Sequence, residues 1–215
     1  MTTDLLIQPV FTDIANDLRA QGYSIVRTEQ TEGFARDLLA QLHAFEADEF
    51  HQAGTGRQQE HQLNSNIRRD RIRWLSRDTD AEVRWLDFMD DLQRQLNRQL
   101  LLGLFSHECH FAHYRPGDFY RKHVDAFKGQ ANRILTSVFY LNDNWQADQG
   151  GELVMYRDDD PDTELLRLVP TLGTLVFFLS EDFPHEVLPA TSDRYSIAGW
   201  FRLNSSRHGR VDPPR

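Results

Sequence analysis

The 215-residue sequence predicts a mainly β protein with supporting helices, its strands wound into an antiparallel double-sheet roll of the jelly-roll, cupin-like kind. Two observations predict it. Apolar residues recur at helical spacing through the first hundred positions and then switch, from Ser106 onward, to the alternation of strands. The strand-like runs that follow are separated only by short turns rich in Gly, Asp, Asn and Pro, with no helical pattern between them, which argues against a parallel α/β sheet.

Phe11, Ile14 and Leu18 mark a first helix, and Phe34, Leu38, Leu39, Leu42 and Phe45 a second, with a strand over 23–26 between them. A third helix is expected over 80–102, because Trp85, Phe88, Met89, Leu92, Leu96 and Leu100 form one apolar stripe among Arg and Gln. Such stripes are core-facing and carry no chemistry. Strands are expected at 107–114, 134–141, 152–156, 165–169, 175–179 and 195–203, with the helices packed on one outer face as support.

Residues 51–66 form a Gln-rich stretch with Gly54 and Gly56, and they lead into Ile67-Arg68-Arg69-Asp70-Arg71-Ile72-Arg73-Trp74. A polar segment of this length in a compact domain is either solvated loop or a lid or binding finger, so 51–74 is taken as a candidate substrate finger. Asp158, Asp159, Asp160 and Asp162 around Pro161 read as a solvated hairpin tip, and 204–215 as a mobile tail. The whole is read as one domain over 1–215, with helical support and the finger in 1–105 and the roll in 106–203.

Thirty-three acidic against twenty-four basic residues give a net charge of -9, which argues against a protein that coats nucleic acid or anionic membrane through its overall field. The single cysteine, Cys109, cannot form an internal disulfide, and the polar start lacks the pattern of a secretory leader. No apolar run reaches the eighteen or so residues that a membrane span requires. These features lead to the expectation of a cytoplasmic protein with neither nucleic-acid nor membrane partners.

His123 and Asp125 fall at positions i and i+2, which share one side of an extended segment, and His185 follows Pro184 at the start of another strand. Two imidazoles and one carboxylate are the complement that holds a non-haem Fe(II) on one face and leaves the opposite positions open. Alone, His-x-Asp is a weak signal. Arg194 strengthens it, because a guanidinium takes a carboxylate through two parallel hydrogen bonds and stays charged when buried. A 2-oxo dicarboxylate that chelates the metal at one end and meets Arg194 at the other fits, and 2-oxoglutarate is such a molecule.

The run from His113 to Asp125 (His-Tyr-Arg-Pro-Gly-Asp-Phe-Tyr-Arg-Lys-His-Val-Asp), Phe139-Tyr140-Leu141-Asn142 with Trp145, Gly150-Gly151-Glu152-Leu153, Pro184-His185-Glu186-Val187, and Arg194-Tyr195-Ser196-Ile197 with Trp200 together resemble the prolyl 4-hydroxylase type of Fe(II)/2-oxoglutarate dioxygenase. The resemblance runs from Phe111 to Phe201 and is strongest to the branch of the animal oxygen-sensing prolyl hydroxylases and their bacterial relatives. The segment from Ile67 to Trp74 resembles the end of that branch's substrate-gripping loop.

The resemblance implies a double-stranded β-helix core, Fe(II) as cofactor, and 2-oxoglutarate and O2 as co-substrates. It implies His123, Asp125 and His185 as iron ligands, Arg194 and Tyr140 at the distal 2-oxoglutarate carboxylate, and Tyr114 in the metal pocket. It places Arg133 and Trp200 near the substrate, and the finger resemblance adds Arg68 and Asp70. The presence of Asp125 favours hydroxylation over halogenation, for which related enzymes leave that position free. His110 departs from the animal members of that branch, which carry an apolar residue there; it is either a polar wall of the pocket or a satisfied core histidine.

Arg57, Arg68, Arg69, Arg71 and Arg73 make the finger region locally basic, an attraction for acidic peptide, although the Arg68 and Asp70 spacing suits a mutual pair. The expected substrate is a prolyl residue in a flexible loop of a cytosolic protein, and the resemblance to bacterial relatives points to elongation factor Tu. Two alternatives remain open: hydroxylation of a free amino acid or other small molecule, and a slow-turnover sensor that binds iron and 2-oxoglutarate and engages a partner.

Overall fold

A computed structural model describes residues 4–54, 66–127 and 132–204. The Gln-rich part of the finger, including Arg57, and the tail from 205 onward lie outside these residues.

Among the described residues three α-helices, α1 (Asp4–Gln21), α2 (Glu29–Ala44) and α3 (Asp80–Leu100), accompany eleven strands. The strands are β1 (Tyr23–Val26), β2 (His51–Gln52), β3 (Arg71–Trp74), β4 (Ser106–Tyr114), β5 (Tyr120–His123), β6 (Arg133–Tyr140), β7 (Leu153–Tyr156), β8 (Glu164–Leu168), β9 (Leu175–Leu179), β10 (His185–Val187) and β11 (Arg194–Arg202). They form a seven-stranded sheet in the order β1-β9-β6-β11-β4-β3-β2 and a four-stranded sheet in the order β5-β10-β7-β8. Every strand pairing is antiparallel, and strands consecutive in sequence alternate between sheets over β4 to β7. The result is the antiparallel double-sheet roll that the change of period predicts, in the double-stranded β-helix form that the resemblance implies, with the helices on one outer face.

The helix ends are set by local chemistry. Thr28 and Thr31 close a capping box at the start of α2, each hydroxyl accepting from the other residue's backbone N–H at 3.2 and 2.8 Å. Thr79 caps α3 by accepting from Glu82 N–H at 3.2 Å. That helix stops at Leu101, which turns into the left-handed region at φ 56°.

Alternation along the long central strands creates two distinct interiors. On β6 and β11, Leu135, Phe139, Ile197 and Phe201 face the helices and join Trp85, Phe88, Met89 and Leu92 in the main core. Trp85 anchors it, its ring stacked 4.4 Å from that of Phe139. The opposite faces turn inward between the sheets, where Val138, Tyr140, Leu153, Met155, Val176 and Phe178 form a second core at one end of the roll. Thr136, Arg194, Ser196 and Trp200 share this inward side and line or flank the remaining space.

The short strands β2, β3, β5 and β10 go beyond the six runs read from periodicity. They span two to four residues and carry Arg, Lys, Gln and His, so their alternation is too brief and too polar to register. The acidic turn is an exposed tip between β7 and β8, where Arg157 pairs with Asp159 and Asp160 accepts from the Thr163 hydroxyl.

Candidate active site

His185 on β10 pairs directly across from His123 on β5 in the antiparallel register, which sets the two imidazoles side by side with ring centroids 4.3 Å apart. Asp125 is not on the strand with His123, as the i, i+2 reading assumes. It lies in the bend just past the end of β5, where it still reaches both rings, with Asp125 Oδ1 3.5 Å from His123 Nε2 and Oδ2 3.7 Å from His185 Nε2. One ligand atom from each of the three lies within 4.8 Å of the others.

The backbone fixes which nitrogen faces the cluster. His123 Nδ1 donates to the Arg121 carbonyl at 2.8 Å and His185 Nδ1 to that of Phe183 at 3.0 Å, leaving both Nε2 lone pairs toward Asp125. Burial, with the His123 charge nearby, pushes the His185 pKa down to about 4, so the ring is neutral and able to ligate at neutral pH. Burial opposes ionisation of Asp125, but the two imidazoles outweigh it and hold the carboxyl well below its usual range. Two imidazoles, each with Nδ1 committed to a backbone carbonyl and Nε2 turned inward, and one carboxylate on one side of a cavity form a donor set that fits a divalent Fe.

Arg194 starts β11 opposite Tyr114 on β4, and Ser196 lies opposite Tyr140 on β6. The register therefore brackets the Arg194 guanidinium with the Tyr114 and Tyr140 rings, at 5.1 and 5.2 Å. Arg194 is 1% exposed and donates to the Gly151 carbonyl at 2.7 Å and the Ser196 hydroxyl at 3.3 Å. Its Nη2 and the Tyr140 hydroxyl are both buried without a hydrogen-bond partner. Burial raises the Tyr140 hydroxyl to about 12 against the pull of Arg194, so it stays a donor. Two unsatisfied buried donors, one of them a cation, match what a carboxylate accepts.

Gly151 permits this approach: at φ +73°, a Cβ there would sit 3.0 Å from Arg194 Cδ and 3.0 Å from Ala190 Cβ.

His123, Asp125, His185, Arg194, Tyr114, Arg68 and Trp200 all line one cavity that opens to solvent. Ala112, Val138, Leu153, Val187 and Ala198 supply apolar wall. Three expected residues stand behind or beside the lining. Tyr140 lies against Arg194, Arg133 lays its guanidinium 3.7 Å from the Trp200 ring, and Asp70 backs Arg68.

Asp70, expected at the substrate, is 0% exposed, and both its oxygens accept from Arg68, at 2.6 and 2.8 Å. It holds Arg68 and does not itself face the cavity. Among the described finger cations, Arg73 is ion-paired with Glu49 and Glu82, Arg71 donates to the Phe50 carbonyl, and Arg69, exposed, stacks on Phe119 at 4.7 Å. From Trp200 in the lining a row of rings runs outward through buried His110 to Trp74, 45% exposed, at ring separations of 5.6 and 5.2 Å. His110 is the satisfied buried residue of the two readings, with Nδ1 on the Phe111 carbonyl at 3.2 Å and no share in the cavity lining.

Sequence reasoning missed Thr136 and Ser180. The Thr136 hydroxyl donates to Asp125 Oδ2 at 2.8 Å and lies 2.9 Å from that of Ser180. A threonine within a β-branched run carries no signal of this role before β6 is placed beside the bend at Asp125.

Residues 109–202 match the 2OG-Fe(II) oxygenase superfamily, the class that the roll and its His/Asp/His cluster define. A prolyl-4-hydroxylase structure from Pseudomonas putida aligns with a TM-score of 0.80 at 37% identity, covering 91% of this chain and 100% of that one. The chain belongs to the prolyl 4-hydroxylase family of that superfamily. A prolyl hydroxylase from Trichoplax adhaerens, solved with a hypoxia-inducible-factor peptide, shares the fold with a TM-score of 0.77 at 24% identity over 94% of this chain and 93% of that one. Among curated proteins, Egl nine homolog 1 of Homo sapiens is 32% identical over 148 residues, and the hypoxia-inducible factor prolyl hydroxylase of Caenorhabditis elegans 37% identical over 95. These matches cover 64% and 42% of this chain but only 34% and 12% of those relatives. Among the described residues no helix is long and apolar enough to cross a membrane.

Proposed function

We propose that this protein is an Fe(II)- and 2-oxoglutarate-dependent dioxygenase that hydroxylates a prolyl residue of a protein substrate. The observation that carries the reading is the placement of the His123, Asp125 and His185 cluster in one cavity with Arg194, whose buried Nη2 lacks a partner. In this reading His123 Nε2, Asp125 and His185 Nε2 hold the iron. When bound, Fe(II) supplies the chemistry that joins decarboxylation of 2-oxoglutarate by O2, to succinate and CO2, with insertion of the second oxygen atom into a C–H bond.

The chain's own residues orient and exclude. Arg194 Nη2 and the Tyr140 hydroxyl receive the distal carboxylate of 2-oxoglutarate, and the ion pair gains strength because Val138, Leu153 and Val187 keep the wall dry. Tyr114 covers one side of the Arg194 guanidinium and keeps it from swinging. The Arg121 and Phe183 carbonyls hold both imidazoles in the tautomer that ligates. Arg68, fixed by Asp70, and Trp200, covered by Arg133, line the side of the cavity from which a peptide would present its proline.

Similarity to bacterial relatives makes the switch region of elongation factor Tu the first protein to try as substrate, in the cytoplasm. Apolar and aromatic contact at Trp74 and Trp200, with charge attraction at the exposed Arg69, is the expected basis of recognition. Incubation of the protein with Fe(II), 2-oxoglutarate and elongation factor Tu, followed by peptide mass analysis, is expected to show one added oxygen on a proline. An unmodified factor would discard this substrate. Absence of succinate formation with any proline-containing protein would discard the activity.

A further inference from the structure

We propose that Ser180 and Thr136 form a directed hydroxyl relay that holds the Asp125 carboxylate with one oxygen occupied and the other left to a metal ion. The inference rests on the iron-binding reading above and adds two positioning residues to it.

The direction of the relay follows from counting protons. An ionised carboxylate only accepts, so at 2.8 Å the Thr136 hydroxyl must give its one proton to Asp125 Oδ2. With that proton committed, Thr136 Oγ1 can only accept from Ser180, 2.9 Å away. Each hydroxyl polarises the next, which strengthens the bond that reaches the carboxylate. The fold fixes both ends: Thr136 sits mid-strand on β6 between Trp200 of β11 and Phe178 of β9, and Ser180, just past β9, donates its N–H to the Ile134 carbonyl at 3.0 Å.

A plainer account is that the two hydroxyls merely satisfy one another in a strand interior. It does not explain why they are present. Thr136 and Ser180 are 2% and 0% exposed, and Val and Ala at these positions would occupy nearly the same space without any buried polar group. The group that needs the pair is Asp125.

The consequence concerns coordination number. Two imidazoles and one carboxylate oxygen would fill three of the six positions that a bound Fe(II) offers, which would leave two for a chelating 2-oxo acid and one more. A carboxylate free to rotate and bind through both oxygens would take that last position. Engaging Oδ2 from behind keeps Asp125 a one-oxygen ligand.

The test uses the full chain and Co(II), titrated by its visible absorption, with thermal melting of each metal-free variant alongside. Thr136→Val is expected to weaken Co(II) binding about ten- to a hundredfold, the usual cost of losing a group that orients a ligand. Ser180→Ala should weaken it less, and Thr136→Ser, which keeps the donor, should restore it. A Thr136→Val protein that melts lower but binds Co(II) like the wild type would overturn the relay and leave only a packing role. If Thr136→Val does not fold, Ser180→Ala decides: affinity equal to wild type overturns the proposal. A wild-type protein that fails to bind Co(II) would sink the iron reading itself, a different result from a binding wild type with indifferent variants.

Discussion

Arg194 and Tyr140 stand together inside the roll, guanidinium carbon 5.2 Å from ring centroid, and each keeps one buried polar atom without a partner. Buried donors left open in this way cost about 1–3 kcal/mol each, so the pair is built for an acceptor that arrives from outside. Tyr140→Phe is expected to weaken 2-oxoglutarate binding by roughly tenfold, one charge-assisted hydrogen bond. Arg194→Lys should weaken it further, because an ammonium cannot reproduce the planar fork. Calorimetric titration of 2-oxoglutarate into Mn(II)-loaded protein reads both, and unchanged affinity in both variants would remove the pair from the co-substrate site.

His123→Ala removes one of the three donors and leaves His185 and Asp125 facing a gap. Metal affinity should fall at least about tenfold, with loss of 2-oxoglutarate turnover, measured by Mn(II) titration and succinate release. Full activity in this variant would contradict the assignment of the cluster.

Gly151→Ala forces a Cβ against Arg194 Cδ and Ala190 at a φ that side chains resist. The expected loss is about 1–3 kcal/mol of stability, together with weaker 2-oxoglutarate binding as Arg194 shifts. Denaturant unfolding gives the first, and the Mn(II)-loaded titration the second. A variant that loses stability but binds 2-oxoglutarate normally would show that the glycine serves the turn alone.

Acid should destabilise the metal-free protein through its buried histidines. Burial lowers His107 and His110 to about 3 and His185 to about 4, whereas the unfolded chain takes up those protons near the ordinary value of about 6.5. Between these values the unfolded state binds more protons, so stability is present above about pH 6.5 and is lost as pH falls toward about 3. Urea midpoints across this window should drop steadily, and His110→Leu should flatten the slope. A flat profile in the wild type would mean that these rings protonate without penalty.

Much of the fold was legible because long elements repeat their pattern. The stripe from Trp85 to Leu96 marks α3, and the runs at β4, β6, β9 and β11 mark the long sheet. Among the short strands, the ligand motif placed His123 on an extended segment and His185 at the start of a strand, as β5 and β10 have them, whereas the extent of β2 and β3 was not legible, since two to four polar residues look the same in a strand or a loop. At the site, the residue types, their order and the Arg194 partner were readable. The backbone acceptors on His123 and His185, and the hydroxyls of Thr136 and Ser180, were not.

The sequence by itself determined the chemistry on offer: two histidines, a carboxylate and an arginine within a strand-rich half that resembles one family. Tertiary structure alone decided how that chemistry is held. Register set His185 against His123 and Arg194 between Tyr114 and Tyr140. Burial closed Asp70 around Arg68, Arg73 was paired with Glu82, and the end of β9 brought Ser180 to the Thr136 hydroxyl that bonds Asp125. The physical reason is that residue type fixes what a group can donate or accept, whereas strand pairing and burial fix which partner it meets and whether water competes.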